Sequence, residues 1–130
     1  MVDSNVILDV LTEDAKWFDW SASHLAALAE EAALVINPIV YAEVSIRFDR
    51  IEDLEDAVSP EHFRRDALPW EAAFLAGKAF LSYRRRGGGR RVPLPDFYIG
   101  AHAAVRHWRL LTRDPRRVRA YFPSVPIIAP

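Results

Sequence analysis

The apolar positions of this chain change period several times, and each change marks an element. Val6, Ile7, Val10 and Leu11 recur at helical spacing directly after Asp3-Ser4-Asn5, a turn-forming run that leaves Met1-Val2 as only the end of a strand. From Asp14 to Ala33, residues Trp17, Trp20, His24, Leu25, Leu28 and Ala32 lie three or four apart, with Glu30 and Glu31 off the stripe, which predicts an amphipathic helix. Leu34-Val35-Ile36 then reads as a buried strand. Asn37-Pro38 is a helix start, Asn able to cap and Pro suited to the first turn, and Tyr41, Val44, Phe48, Ile51 and Leu54 carry one stripe on for several turns. Ser59-Pro60 ends it, and Glu61–Asp66 is expected to be a loop or a short helix.

The second half alternates in the same way. Pro69 opens a helix with Trp70, Phe74 or Ala73, Gly77 and Leu81 on one side, which runs into the basic, glycine-interrupted stretch Arg84–Arg91. Asp96–Trp108 has little polar surface and so predicts a largely buried helix. Arg109–Thr112 reads as a strand, Asp114-Pro115 as the start of a short helix, and Pro126–Ile128 as a last strand. Strands alternating with helices imply a parallel sheet covered on both faces, an α/β/α sandwich, with residues 1–130 forming one domain.

Composition narrows the class. The chain has 130 residues, no cysteine, 51% hydrophobic and 27% charged residues, which excludes a disulfide-stapled miniprotein, a collagen and a disordered tail. Its apolar runs, such as Ala32–Ile36 and Ala72–Ala76, fall far short of the roughly 18 residues a membrane span needs, so a cytoplasmic protein is expected. The net charge of −1 conceals an asymmetry. Residues 1–83 carry 16 acids against 6 bases, whereas residues 84–130 carry 11 bases against 2 acids. Such a division suits a surface that holds a polyanion beside a site that holds cations, and equally a simple match of opposite charges within the molecule.

Acids sit where strands end. Asp3 and Asp114 lie at or just past predicted strands, Glu43 early in the helix after Leu34–Ile36, and Asp96 in the first turn of the buried helix. In an open parallel sheet these positions face the crevice at the carboxyl edge. A cluster of carboxylates without His or Cys favours Mg²⁺ or Mn²⁺, which suits phosphoryl chemistry. Singly, each acid also has an ordinary role as a turn, solvated, dipole-favoured or capping residue. None of His24, His62, His102 and His107 has a metal-binding spacing, so they are expected to be structural or surface residues. Trp17, Trp20, Trp70 and Trp108 are expected in the core or at a dimer contact.

Asp3-Ser4-Asn5, Pro38-Ile39-Val40-Tyr41-Ala42-Glu43, Pro95-Asp96-Phe97-Tyr98-Ile99-Gly100-Ala101-His102-Ala103, Leu110-Leu111-Thr112-Arg113-Asp114 and the terminal Val125-Pro126-Ile127-Ile128 occur in that order. Together they resemble the PIN-domain ribonucleases of the VapC toxin type, nearly end to end. The resemblance implies an α/β/α sandwich with a mainly parallel sheet, Mg²⁺ or Mn²⁺ as cofactor, and endonucleolytic hydrolysis of RNA. It also implies a homodimeric toxin neutralised by a cognate antitoxin. Carried over by position, Asp3, Glu43, Asp96 and Asp114 are the implied catalytic and metal-binding acids, and Ser4, Asn5 and Thr112 their supports. Arg113, Arg116 and Arg117 near the last acid, with Arg85 and Arg86 in the basic loop, are candidates for RNA phosphates. The rival from another class is a catalytically silent module of the same fold that binds RNA or a protein. A phosphatase would want Asp-x-Asp where this chain has Asp3-Ser4-Asn5, and a receiver domain a late lysine, whereas the only lysines are Lys16 and Lys78.

Overall fold

Asn37 shows how directly the chain encodes its elements. In the computed structural model, which describes all residues from Met1 to Pro130, its side-chain oxygen accepts from the Val40 amide at 2.9 Å with Pro38 in the first turn, the cap-and-proline start read from the sequence. The elements are helices α1 (Ser4–Leu11) and α2 (Phe18–Glu31), strand β1 (Leu34–Ile36), helices α3 (Pro38–Ser45) and α4 (Ile51–Ala57), strand β2 (Phe63–Arg65), helices α5 (Trp70–Arg85) and α6 (Pro95–Arg106), strand β3 (Leu110–Leu111), helix α7 (Arg116–Tyr121) and strand β4 (Ile127–Ile128).

Strand β1 pairs in parallel with β2, and β3 in parallel with β4. The amino terminus stitches the two pairs together. The Val2 amide donates to the Val35 carbonyl, the Leu111 amide to the Met1 carbonyl and the Asp3 amide to the Leu111 carbonyl, each at 2.9 Å, with Val2 and Leu111 forming a parallel bridge. Every strand therefore points the same way, as expected of the α/β/α sandwich. Asp3, Asn37, Asp66 and Thr112 all follow the carboxyl ends of strands. The core beneath them joins Val2, Val6, Ile36, Val40, Val44, Phe97, Ile99, Leu110 and Leu111.

Three expectations are corrected. The stripe from Tyr41 to Leu54 is not one helix, because α3 stops at Ser45 and α4 starts at Ile51. The Arg47 and Phe48 amides close a tight turn on the Val44 and Ser45 carbonyls, and the restart carries Leu54 and Val58 into the same core as Val44. Second, the polar stretch 61–66 contains strand β2, whose in-register pairing with β1 satisfies its backbone and overrides its polar composition. Its side chains stay partly or fully exposed, as suits a sheet edge. Third, α5 buries Ala72, Ala76 and Ala79 and packs Phe80 and Tyr83 against Phe97, while the side carrying Trp70 and Phe74 faces outward, 89% and 67% exposed, which keeps Trp70 out of this chain's core. Small residues on the buried side let α5 lie close against α6.

Helix α6 is the buried helix the sequence predicts, with Phe97, Ile99, Gly100, Ala101, His102 and Ala103 all inside. Gly100 is required by close approach: a Cβ there would lie 2.5 Å from Phe122 Cδ2 and 2.8 Å from Cε2. Gly100→Ala is therefore expected to cost about 1–2 kcal/mol, since overpacking against a buried ring outweighs the better helix propensity of alanine. Urea denaturation measures this, and Phe122→Leu in the same chain should recover most of the loss.

Candidate active site

Asp3 occupies the N-cap position of α1 but does not cap it. Its side chain turns inward, where only 7% of the residue is exposed. Oδ2 accepts from Thr112 Oγ1 at 2.6 Å and from Asn5 Nδ2 at 3.0 Å, and Ser4 Oγ stands 3.4 Å from Oδ1. The same Ser4 hydroxyl donates to Glu43 Oε2 at 2.7 Å, tying the first acid to the third helix. Asn5 Nδ2 also reaches Thr112 Oγ1 at 3.3 Å, while its Oδ1 accepts from the Arg113 amide at 3.1 Å. Ser4 and Asn5, in the first turn of α1, and Thr112, just after β3, thus surround the Asp3 carboxylate.

The electrostatics identify which acids share the crevice. Burial raises the Asp3 carboxyl above its ordinary range, and the charge of Asp96 raises it further against the opposing hydrogen bonds of Thr112 and Ser4. Glu43 is raised too, by burial first, then by the charges of Asp3 and Asp96. Asp3, Glu43 and Asp96 therefore form one mutually repelling group, approached by a single guanidinium: Arg117 Nη1 donates to Asp96 Oδ2 at 2.6 Å.

Asp114 stands apart from this group. Its carboxylate is held by Arg116 through Nε at 2.8 Å and Nη2 at 2.7 Å, and that pair lowers it to about 2. Only its backbone amide faces the crevice, donating to Thr112 Oγ1 at 3.2 Å. Nor are the candidate RNA-binding arginines all free. Arg116 holds Asp114 and Arg117 holds Asp96, while Arg113 Nε lies 3.4 Å from the buried carboxylate of Asp9, to which Ser21 Oγ also donates. Arg85 and Arg86 are exposed at the end of α5, with the Arg86 guanidinium 5.0 Å from the Tyr121 ring centroid.

The donors available to a cation are carboxylate oxygens, with hydroxyls behind them. No three acids or histidines converge tightly enough to enclose an ion by themselves, so water would complete the coordination. This donor set fits a hard dication such as Mg²⁺ or Mn²⁺, which keeps several waters. A buried and a half-buried carboxylate, both pushed upward by burial and by neighbouring negative charge, are also groups a cation would relieve.

Two arrangements went unread in the sequence. Asp66, placed in an expected loop, accepts from buried His102 Nε2 at 2.8 Å and from Arg106 Nε at 2.9 Å, and the other ring nitrogen of His102 lies 3.1 Å from Asn37 Nδ2. His102 is thus a structural residue, as expected, with both ring nitrogens engaged. Asp9 is the other, a buried acid of α1 whose place among Val6, Ile7 and Val10 was the available signal.

The PIN domain family matches residues 1–123. Among solved structures, the chain is similar to VapBC2 from Rickettsia felis bound to a DNA fragment from their promoter, at 16% identity and a TM-score of 0.75, covering 99% of this chain and 96% of that one. It is also similar to VapBC-1 from nontypeable Haemophilus influenzae, at 18% identity and a TM-score of 0.73 over 99% and 96% of the two chains. FitAcB from Neisseria gonorrhoeae matches at 20% identity and 0.70 over 98% and 94%. Sequence comparison with curated proteins gives no match.

Proposed function

Because this chain belongs to the PIN domain family, we propose that it is a metal-dependent endoribonuclease, the toxin of a toxin–antitoxin pair, acting in the cytoplasm as a homodimer of single PIN-like units. The observation that carries the nuclease reading is the crevice in which one Ser4 hydroxyl lies against Asp3 and donates to Glu43, with burial and the charge of Asp96 raising both carboxyls. A binder of polyanions has no use for such a cluster. The shared fold supports the antitoxin, since the similar structures are of VapBC, and the homodimer is what the family resemblance implies.

Asp3 and Asp96 would be the principal ligands of the cation, with Glu43 and, once Arg116 releases it, Asp114 binding or orienting its water. Mg²⁺ or Mn²⁺ supplies Lewis acidity and a more acidic water. Thr112, Asn5 and Ser4 keep Asp3 and Glu43 aimed before substrate arrives, which removes reorganisation from the reaction. Glu43 Oε2 accepts from Ser4, leaving Oε1 free to bind or orient a water. Arg113, Arg116, Arg85 and Arg86 attract RNA phosphates, and binding weakens as salt rises. Purified protein should cut RNA, and not DNA of the same sequence, with Mg²⁺ or Mn²⁺ and stop with chelator. RNA bound but uncut under every metal condition would support the silent-module reading instead.

Arg117 acts here as the resident counter-ion of Asp96. Its half-exposed pair is of the weakly held kind, so a cation competes with it directly. Arg117→Ala should bind Mn²⁺ about threefold more tightly in titration calorimetry, while cleavage at low metal rises. Unchanged Mn²⁺ affinity would separate Arg117 from the site.

A further inference from the structure

Next to the acidic crevice, and sharing Asn5 with it, lies an open cavity of about 450 Å³ lined by Asn5, Trp17, Arg113, Asp114, Pro115 and Arg116. Its walls carry what an unpaired nucleotide needs: an aromatic face, guanidinium groups and an amide. Trp17 is held in place by Asp14, whose Oδ1 accepts from the Trp17 and Lys16 amides, both at 2.9 Å. Trp20 meets its ring edge-on, at 6.4 Å between centroids. The Arg113 guanidinium lies 5.5 Å from the Trp17 centroid and is kept there from behind by buried Asp9. This guanidinium and ring form a preset stacking pair. Lys16 Nζ, 4.8 Å over the same ring, ends an exposed flexible side chain that can swing to a phosphate.

The wall nearer solvent is an exposed ion pair. Arg116 and Asp114 make an ion pair whose side chains are 87% and 52% exposed, a pairing water already weakens. A phosphate offers Arg116 the same forked geometry. Asn5 fixes the distance between the two sites, since its Nδ2 binds Asp3 and Thr112 while its Oδ1 holds the Arg113 backbone. We propose that this cavity is a nucleotide subsite: the base of an unpaired RNA residue beside the cut stacks against Trp17 and Arg113, and its phosphate exchanges for Asp114 on Arg116. Trp17 is then a specificity residue, and the substrate is single-stranded where it is cut. The inference rests on the ribonuclease reading of the adjoining crevice.

The test is anisotropy of labelled single-stranded RNA in the Asp96→Asn background, with no cleavage to confuse it, together with sequencing of the fragment ends made by chains with intact acids. Trp17→Ala should weaken binding about tenfold and blur the base preference beside the cut. Trp17→Phe should recover most of both, and Trp70→Ala, an exposed tryptophan outside the cavity lining, should change neither. Hairpin RNA paired throughout should bind Trp17→Ala and parent alike. Trp17→Ala that binds and cuts as the parent does would overturn the subsite while leaving the nuclease reading intact, and would leave the cavity to a protein partner. A parent that neither binds nor cuts RNA removes that reading and the subsite with it.

Discussion

Asp3→Asn is expected to abolish cleavage and to stabilise the metal-free protein. The two effects share one cause. A cation ligand at this position contributes several kcal/mol to the transition state, so its loss should lower the rate about a thousandfold. In the absence of metal the same carboxylate is a cost to the fold, because it is buried and faces the charge of Asp96. Asparagine keeps the useful contacts. Its oxygen can take the place of Oδ2, accepting from Thr112 and Asn5, while its amide points to Ser4. In chelator the variant should therefore melt higher, by about 4 °C for each ~1 kcal/mol relieved. The pH dependence has a definite sign. A carboxyl raised in the folded state destabilises above its folded pKa, so the gap between Asp3→Asn and the parent should be widest at neutral pH and close as pH falls through the range where Asp3 protonates. Excess Mn²⁺ should invert the order, since only the parent gains binding energy. A variant less stable than the parent in chelator would show that Asp3 is a structural acid.

His102→Ala should have the opposite profile: a loss of about 3 kcal/mol in stability by urea denaturation, with cleavage per folded molecule little changed. The ring is fully buried and spans Asn37, which caps α3, and Asp66, which follows β2. Its removal leaves a cavity and deprives buried Asn37 of a partner, and the two costs add. Burial also lowers the His102 pKa below its ordinary 6.5. A group held neutral in the fold costs stability once the unfolded chain begins to take up the proton, so this contribution declines as pH falls below about 6.5. The slope should be absent from His102→Ala. Cleavage lost well beyond the unfolded fraction would instead place His102 in the chemistry.

The order of elements was legible because its signals are local. Asn37-Pro38 and Pro95 fix helix starts by themselves, and the nearly all-apolar face of Ile99–Ala103 can only be buried. Asp3, Glu43 and Asp96 were legible as candidates from their places after strands or at helix starts, and the structure brings these three together. What stayed hidden depends on distant partners. Strand β2 is polar and exists because β1 pairs with it, and the break between α3 and α4 follows from where Leu54 must pack. Arg117 and Arg116 looked like free cations, yet each has a carboxylate within hydrogen-bonding distance. Nor does spacing reveal which side of α5 is inward, since alanines and aromatics alternate along it.

Cleavage of RNA by the crevice of Asp3, Glu43 and Asp96 is the activity on which all of this depends. It is tested most directly by Asp96→Asn and the parent purified side by side, each given a structured RNA pool with Mn²⁺ and with chelator, the fragment ends being mapped by sequencing. The account predicts discrete cuts from the parent with Mn²⁺ alone, and none from a folded Asp96→Asn that still binds the RNA. The same cuts at the same rate from both proteins would contradict it.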